Sequence, residues 1–275
     1  MTRPIKTSQF PLGLGRVGSA APIARRAVLD AGVLRPQAPL KHAAEDAARR
    51  VAPTGLGLDS LAVRRRMVDR LRQDGIACEP VLQAFGSVER HRFVDSALAA
   101  QAYEDTSLPI GLQQTISKPS VVARMLWLLF EGAHARANGH LGRVLEIGTG
   151  CGYQTALLSL LSGSVVSIER LKPLHDKAKH SLANQRQADV RLLHADGRLG
   201  HPPRAPYHCI VSAAGGEDVP QAWLDQLAEG GRLIAPSHDP SRGTQALLVV
   251  DRGPAGLTRQ WRDAVHFVPL KSGTQ

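Results

Sequence analysis

The stretch Val144-Leu145-Glu146-Ile147-Gly148-Thr149-Gly150-Cys151-Gly152-Tyr153-Gln154 decides the fold, because an apolar β-type run breaks into alternating glycines and resumes as a helical pattern. Glycine at 148, 150 and 152 removes side chains where the backbone must turn tightly, so a small molecule can approach the peptide N–H groups at a helix start. The spacing is GxGxG rather than the GxGxxG of the dinucleotide fingerprint, and no Gly-Lys-Ser/Thr follows, which excludes a triphosphate-binding P-loop. Taken alone, the turn also suits glycines used only for geometry.

Outward from this turn, short β-rich runs alternate with helical segments, the mark of βαβ units and a parallel sheet. Strands are expected at Val144–Ile147, Val165–Ile168, Val190–Leu193, Cys209–Ser212 and Arg232–Ala235. Helices are expected at Gln154–Leu161, Pro173–Asn184 and Pro220–Leu227. Ala246–Val250 and Leu257–Trp261 flank Gly253-Pro254-Ala255-Gly256 as an antiparallel hairpin, with Val265–Val268 as one more strand. Ahead of the sheet, Leu61, Met67, Val68 and Leu71 recur at helical spacing up to Gly75, after a cap at Asp59 or Ser60. The Arg64-Arg65-Arg66 run then lies mainly on the outer face. Val81, Leu82, Phe85 and Val88 give a second helix after Pro80, ending near Arg90.

Two carboxylates sharpen the ligand. Glu169 ends the second strand, nineteen residues after Gly150, where it can accept hydrogen bonds from both hydroxyls of a ribose. Asp196-Gly197 follows the third strand at the same carboxyl edge, where open α/β sheets bind ligands. With the glycines, these strand ends favour a nucleoside.

Composition sets the wider frame. The chain has 275 residues, 43% of them hydrophobic, enough for a full core. Its formal charge is +10, but the first 52 residues hold nine Lys and Arg against three Asp and Glu, so +6 resides there. Rich in Pro and Gly, residues 1–57 are expected to be a basic disordered tail, and 58–275 the folded domain. Contact of the tail with nucleic acid is one reading, and a solvated extension without a dedicated partner is the preferred one. Cys78, Cys151 and Cys209 show no CxxC spacing, and the histidine pairs His134/His140, His175/His180 and His201/His208 miss the i,i+4 ligand spacing, so neither a disulfide framework nor a metal site is expected. The longest apolar run, Met125 to Phe130, is far short of the ~18 residues of a spanning helix, and the amino end lacks an apolar signal core, pointing to a cytoplasmic protein. Trp127 is expected to fill core, and Lys172 with Asp176 to form a surface pair.

The run Glu146 to Gly152 followed by Glu169 resembles the S-adenosylmethionine-binding motifs of Rossmann-like methyltransferases. The preceding segment, Ala102-Tyr103-Glu104-Asp105-Thr106-Ser107-Leu108-Pro109-Ile110-Gly111-Leu112-Gln113-Gln114-Thr115-Ile116-Ser117-Lys118-Pro119, is similar to the signature of protein-L-isoaspartate O-methyltransferases. Further likeness lies in Arg90–Val94, Ser167–Arg170, Ala195–Gly197, Gln226–Leu233 and Phe267–Leu270, so it spans about Leu58 to Leu270. The resemblance implies a Rossmann-like α/β fold, mostly parallel with helices on both faces and a C-terminal antiparallel hairpin. It also implies methyl transfer from S-adenosylmethionine to the α-carboxylate of L-isoaspartyl residues in damaged proteins, with repair through a succinimide, by a monomer.

Carried onto this sequence, the resemblance makes Ser117 the active-site residue, near both the methyl donor and the substrate carboxylate. Ile116 and Ser117 would touch the cofactor from above. Gly148, Thr149, Gly150 and Gly152 would pass under its methionine part, with Glu146 ordering the loop and the ammonium end. Glu169 would hold the ribose and Asp196-Gly197 would meet the adenine, with Arg170 also among the cofactor-binding residues. Val268 and Leu270 would help hold the substrate backbone. As an isolated residue, Ser117 before Pro119 equally suits a helix cap. The chain departs from the family pattern at Gln113, where glycine is common, at His208, where aspartate is usual, and at Ser237-His238, which replaces the end of a Pro-Val-Gly turn. Two other readings stay open at this point: a methyltransferase of a small molecule or nucleic acid, and a noncatalytic basic nucleic-acid-binding module.

Overall fold

The computed structural model of the chain describes residues 33–34, 61–183 and 189–275. The expected tail lies outside the described residues apart from strand β1 (Val33–Leu34), which pairs in parallel with Ala264 and Val265 at the sheet edge, so at these two positions the chain is extended rather than a tail. The helix cap at Asp59 or Ser60 also falls outside them.

Helices α1 (Leu61–Gln73) and α2 (Glu79–Ser87) form the expected cover, followed by single-turn helices at Arg90–Phe93 and Ser96–Gln101. Within α1, Met67 and Leu71 are buried while Leu61 is exposed. The arginine run departs from expectation at one position: Arg64 is buried, donating to the Ser87 carbonyl at 3.1 Å and lying 3.5 Å from the Glu89 carboxylate. A helical arginine one turn before Val68 faces α2, and its fork reaches the carbonyl that α2 leaves open at its end.

Next come a small hairpin, β2 (Leu108–Gly111) and β3 (Gln114–Ile116), then helices α3 (Pro119–Phe130) and α4 (Ala133–Asn138). The main body alternates β4 (Arg143–Ile147), α5 (Tyr153–Leu161), β5 (Ser164–Glu169), α6 (Lys172–Leu182), β6 (Asp189–His194), β7 (Tyr207–Ser212) and α7 (Gln221–Asp225). It closes with β8 (Leu227–Asp239), β9 (Thr244–Gly253) and β10 (Gly256–Val265). The eight-stranded sheet has the order β1-β10-β9-β8-β7-β4-β5-β6, parallel from β8 to β6 and antiparallel across β8, β9 and β10.

Both faces of the parallel strands are covered, which explains their nearly continuous apolar runs. Along β4, Val144 joins the core under α3 and α5, whereas Leu145 and Ile147 join the opposite core with Val166, Ile168, Ile210, Trp223 and Leu224. Trp127 is only partly buried at the edge of the first core, with the Arg124 guanidinium 4.9 Å over its ring. Lys172 and Asp176 form the expected exposed pair.

Three expected elements change at the C-terminal side. The helix starting at Pro220 stops at Asp225, because Leu227 already pairs with Tyr207 as the first residue of β8. Strand β8 is far longer than Arg232–Ala235: it begins at Leu227, and Gly230-Gly231 is accommodated by a register shift opposite Tyr207 and Cys209. Val265–Val268 is not a further strand. A bulge between Trp261 and Ala264 carries β10 through to Val265, and the chain then turns back so that Gly215 donates to the Val268 carbonyl and Leu270 to the Gly215 carbonyl.

The order β7-β4-β5-β6 places the topological switch between β4 and β7. Ligand clefts form at such a point because the loops leaving the two strands diverge to opposite faces.

Candidate active site

At the switch point lies a cleft of about 510 Å³, within the range of small-molecule sites. Its floor is Ile147 at the end of β4 with Gly148 and Gly150 beyond it, Ile168 and Glu169 at the end of β5 with Arg170 and Leu171 beyond them, Gly197 after β6, and Ala213-Ala214 after β7. One wall is the β2–β3 hairpin from Ile110 to Thr115, and the other is Val268 to Lys271 with Gln275. A smaller annex opens beside it, lined by Ile116, Ser117, Thr149, Cys151, Tyr153 and Gln154, and the two spaces share Ile110, Thr115, Gly148, Gly150 and Ala213.

The glycine loop is held by side chains that the loop itself does not supply. Gly150 adopts φ of 57°, and its N–H donates to Glu169 Oε2 at 2.9 Å, while Glu169 Oε1 accepts from the Leu171 N–H at 2.9 Å. Each carboxylate oxygen keeps a second lone pair, and Glu169 faces the cleft. Gly152 precedes α5 at φ of 92°, a conformation strained for other residues, and a Cβ there would sit a tight 3.1 Å from Leu182 Cδ1.

Glu146 lies under the loop, fully buried and outside the cleft lining. Its Oε2 accepts from the hydroxyls of Thr155 and Ser167, at 2.5 and 2.6 Å. Because Ser167 spends its proton there, the Thr149 hydroxyl donates to Ser167 Oγ at 2.6 Å, completing a chain from the buried carboxyl to the loop. Burial raises the Glu146 pKa to about 7 against the lowering effect of these hydroxyls. A carboxyl with a raised folded-state pKa favours folding fully below its unfolded value of 4.5 and loses that contribution as pH rises through about 7. Between pH 5 and 8 the stability of the wild type is therefore expected to fall relative to Glu146→Gln by about 3 kcal/mol, measured by urea unfolding. A constant difference across that range refutes the assignment.

Ser117 follows β3 and is 8% exposed in the annex, opposite Thr149 and Gly150. The helix-cap alternative for Ser117 is taken by another residue: Asp105 accepts from both the N–H and the hydroxyl of Ser120, each at 2.8 Å, in the first turn of α3. What holds Ser117 is its backbone. Arg90, fully buried, donates Nη2 to the Ser117 carbonyl and Nε to the Ala102 carbonyl, each at 2.7 Å. Its guanidinium lies 4.7 Å over the ring of Tyr153, which packs edge-on against Phe85 and Phe93.

The structure thus gathers Gly148, Gly150, Glu169, Arg170, Gly197, Val268 and Leu270 around the cleft, and Ile116, Ser117 and Thr149 around the annex. Glu146 and Gly152 lie behind the loop. Asp196, expected at the cofactor, lines neither space: its Oδ1 accepts from the Arg198 N–H and its Oδ2 from the Gly273 N–H. Arg170 binds the Gly273 carbonyl and Gln275 Oε1, so both residues also fasten the end segment. Sequence reasoning assigned no role to Arg90, Asp105 or Thr115. Thr115 Oγ1 is buried without a hydrogen-bond partner and lines both spaces. The only signal for all three was membership of the motif segments.

The departures divide by location. Gln113 sits at the cleft mouth with φ of 59°, which explains a preference for glycine there. His208 is at the amino end of β7, away from the cleft, stacked on His134 at 3.8 Å and accepting from the Arg143 N–H. Burial lowers its pKa to about 4. His238 is exposed and donates its N–H to the Gly216 carbonyl. Among the described residues no three His, Cys, Asp or Glu side chains converge to hold a metal ion, and no helix is long and apolar enough to cross a membrane.

A parallel sheet with a glycine-floored cleft at its switch point and a carboxylate beside the second strand defines a nucleoside-binding enzyme of the Rossmann-like methyltransferase class. Residues 62–275 match the family described as Protein-L-isoaspartate(D-aspartate) O-methyltransferase (PCMT), and the chain belongs to that family. Among its relatives, the protein-L-isoaspartate O-methyltransferase of Leptothrix cholodnii is 55% identical over 281 residues, covering 99% of this chain and 97% of the relative. That of Methylibium petroleiphilum is 55% identical over 267 residues, covering 97% and 96%. A solved protein-L-isoaspartate O-methyltransferase superposes with a TM-score of 0.67 at 27% identity, over 76% of this chain and 66% of that one. A Plasmodium falciparum structure, described as in complex with S-adenosyl-L-homocysteine, shares the fold with a TM-score of 0.64 at 22% identity, over 76% and 98%.

Proposed function

We propose that this chain methylates the α-carboxylate of L-isoaspartyl residues in damaged proteins, using S-adenosylmethionine, and so begins their repair through a succinimide. The supporting observation is that two adjacent spaces share the lining residues Ile110, Thr115, Gly148, Gly150 and Ala213, one floored by glycines beside a fixed carboxylate and one holding Ser117. The residues suit the cofactor: the floor is backbone at Gly148 and Gly150, Glu169 offers lone pairs for ribose hydroxyls, and a nucleoside that carries no phosphate needs no phosphate-binding lysine.

When bound, S-adenosylmethionine supplies an electrophilic methyl on sulfonium. A free substrate carboxylate, with a pKa of about 4, is ionised at neutral pH, so the chain needs no strong general base and works by alignment and exclusion of water. The Ser117 hydroxyl donates a hydrogen bond that turns one carboxylate oxygen towards the methyl group. Arg90 keeps Ser117 at that position through its carbonyl. Val268 and Leu270 form the wall against which the substrate backbone lies. The neighbouring backbone nitrogen attacks the ester carbonyl, the bond to the methoxy group breaks and methanol leaves with the nitrogen's proton, giving the succinimide, whose hydrolysis returns some normal aspartyl linkage.

Labelled S-adenosylmethionine is expected to give base-labile methyl esters on an isoaspartyl peptide and none on its aspartyl twin. Equal labelling of both peptides, or labelling of nucleic acid instead, overturns the reading. Glu169→Ala is expected to weaken S-adenosylhomocysteine binding by roughly 10- to 100-fold in calorimetry, because two hydrogen bonds to a charged acceptor and the Gly150 anchor are lost together.

A further inference from the structure

The turn between β2 and β3 consists of Leu112 and Gln113, at φ of 52° and 59°. Left-handed backbone is strained for any residue with a Cβ, and such strain persists where surrounding structure or function demands it. Here it holds a large apolar side chain in water: Leu112 is 52% exposed, and both turn residues line the mouth of the cleft. The fold gains little from burial of Leu112. Pro269, Leu270 and Lys271 stand on the facing wall.

The distance to the chemistry follows from the strand. Ser117 follows Gln113 by four residues, three of them (Gln114–Ile116) forming β3, a reach of at most about 13 Å at the ordinary strand rise. An extended peptide covers that length in about four residues. With its isoaspartyl carboxylate at Ser117, a peptide leaving between the hairpin and the facing wall sets a side chain roughly two to four positions away against Leu112. We propose that Leu112, presented by this turn, is a specificity-determining residue that favours an apolar side chain at that substrate position. Lys271 on the opposite wall disfavours a basic one. The inference rests on the isoaspartyl reading of the site.

The test uses peptides with one isoaspartyl residue and Leu, Ser or Lys placed in turn two to four positions away on either side. For the wild type, kcat/KM with Leu is expected to exceed that with Ser by about fivefold on one side, as suits a partly buried apolar contact. Leu112→Ser brings that ratio below about twofold, whereas Leu112→Phe keeps it. Calorimetry with S-adenosylhomocysteine verifies that the cofactor cleft of each variant is intact. Equal rates for Leu and Ser peptides at every position with the wild type, or an undiminished ratio in Leu112→Ser, overturn the assignment. A wild type that methylates no isoaspartyl peptide overturns the parent reading as well, which separates the two failures.

Discussion

Ser117→Ala is expected to lower kcat on an isoaspartyl peptide by about 100-fold while S-adenosylhomocysteine affinity stays within about twofold. The nucleophile needs orientation rather than deprotonation, so the missing hydroxyl is felt in the transition state and little in cofactor binding. Stability offers a second readout. A helix-capping serine would cost about 1 kcal/mol when replaced by alanine. Asp105 already satisfies Ser120 at the first turn of α3, so the unfolding midpoint of Ser117→Ala should match the wild type. Unchanged turnover removes the role of Ser117, and a lost midpoint with normal turnover returns it to the cap.

The second large effect concerns Arg90. Arg90→Leu is expected to destabilise the chain by about 3–5 kcal/mol, because the Ala102 and Ser117 carbonyls lose a charged donor inside the protein. Burial also pulls the guanidinium below its ordinary pKa, with Tyr153 the foremost opposing influence. Arg90→Lys separates position from charge: an ammonium lacks the planar fork that spans both carbonyls. It should fold, bind S-adenosylhomocysteine normally and lose about tenfold in kcat, as suits a group acting only by placing Ser117. An Arg90→Leu chain within about 0.5 kcal/mol of the wild type in urea unfolding contradicts this account.

Much of the site was legible where neighbours along the chain determine it. The glycine turn, Glu169 beside the second strand and Gly197 after the third all follow from a strand running into a loop at one sheet edge, and the structure places each at the cleft. The long pieces of the C-terminal half were harder. The expected strand Arg232–Ala235 is only the middle of β8, which its ladder with Tyr207 and Cys209 extends back to Leu227, and the bulge in β10 absorbs what looked like a gap between two strands. Periodicity measures local preference, and pairing with an existing strand outweighs it.

Arg64 and Arg90 show the same limit in side chains. In sequence each is one basic residue among several near the cap helices. Only packing shows that Arg64 closes the end of α2 and that Arg90 bridges two carbonyls 12 and 27 residues away. The stacking of His208 on His134 likewise joins residues far apart in the chain, which no spacing along the sequence shows.

By itself, the sequence determined the layered α/β body and the glycine turn with its carboxylates at the strand ends, because hydrophobic period, glycine spacing and strand-end residues are encoded within short windows. The segment bearing Ser117 was singled out by its resemblance to the family signature. The tertiary structure alone decided that Asp105 rather than Ser117 caps α3, that Arg90 holds the serine, and that Val268–Leu270 faces the hairpin across the cleft. Those contacts join segments far apart in the chain, and their geometry follows from how the sheet brings its strands together rather than from any local preference.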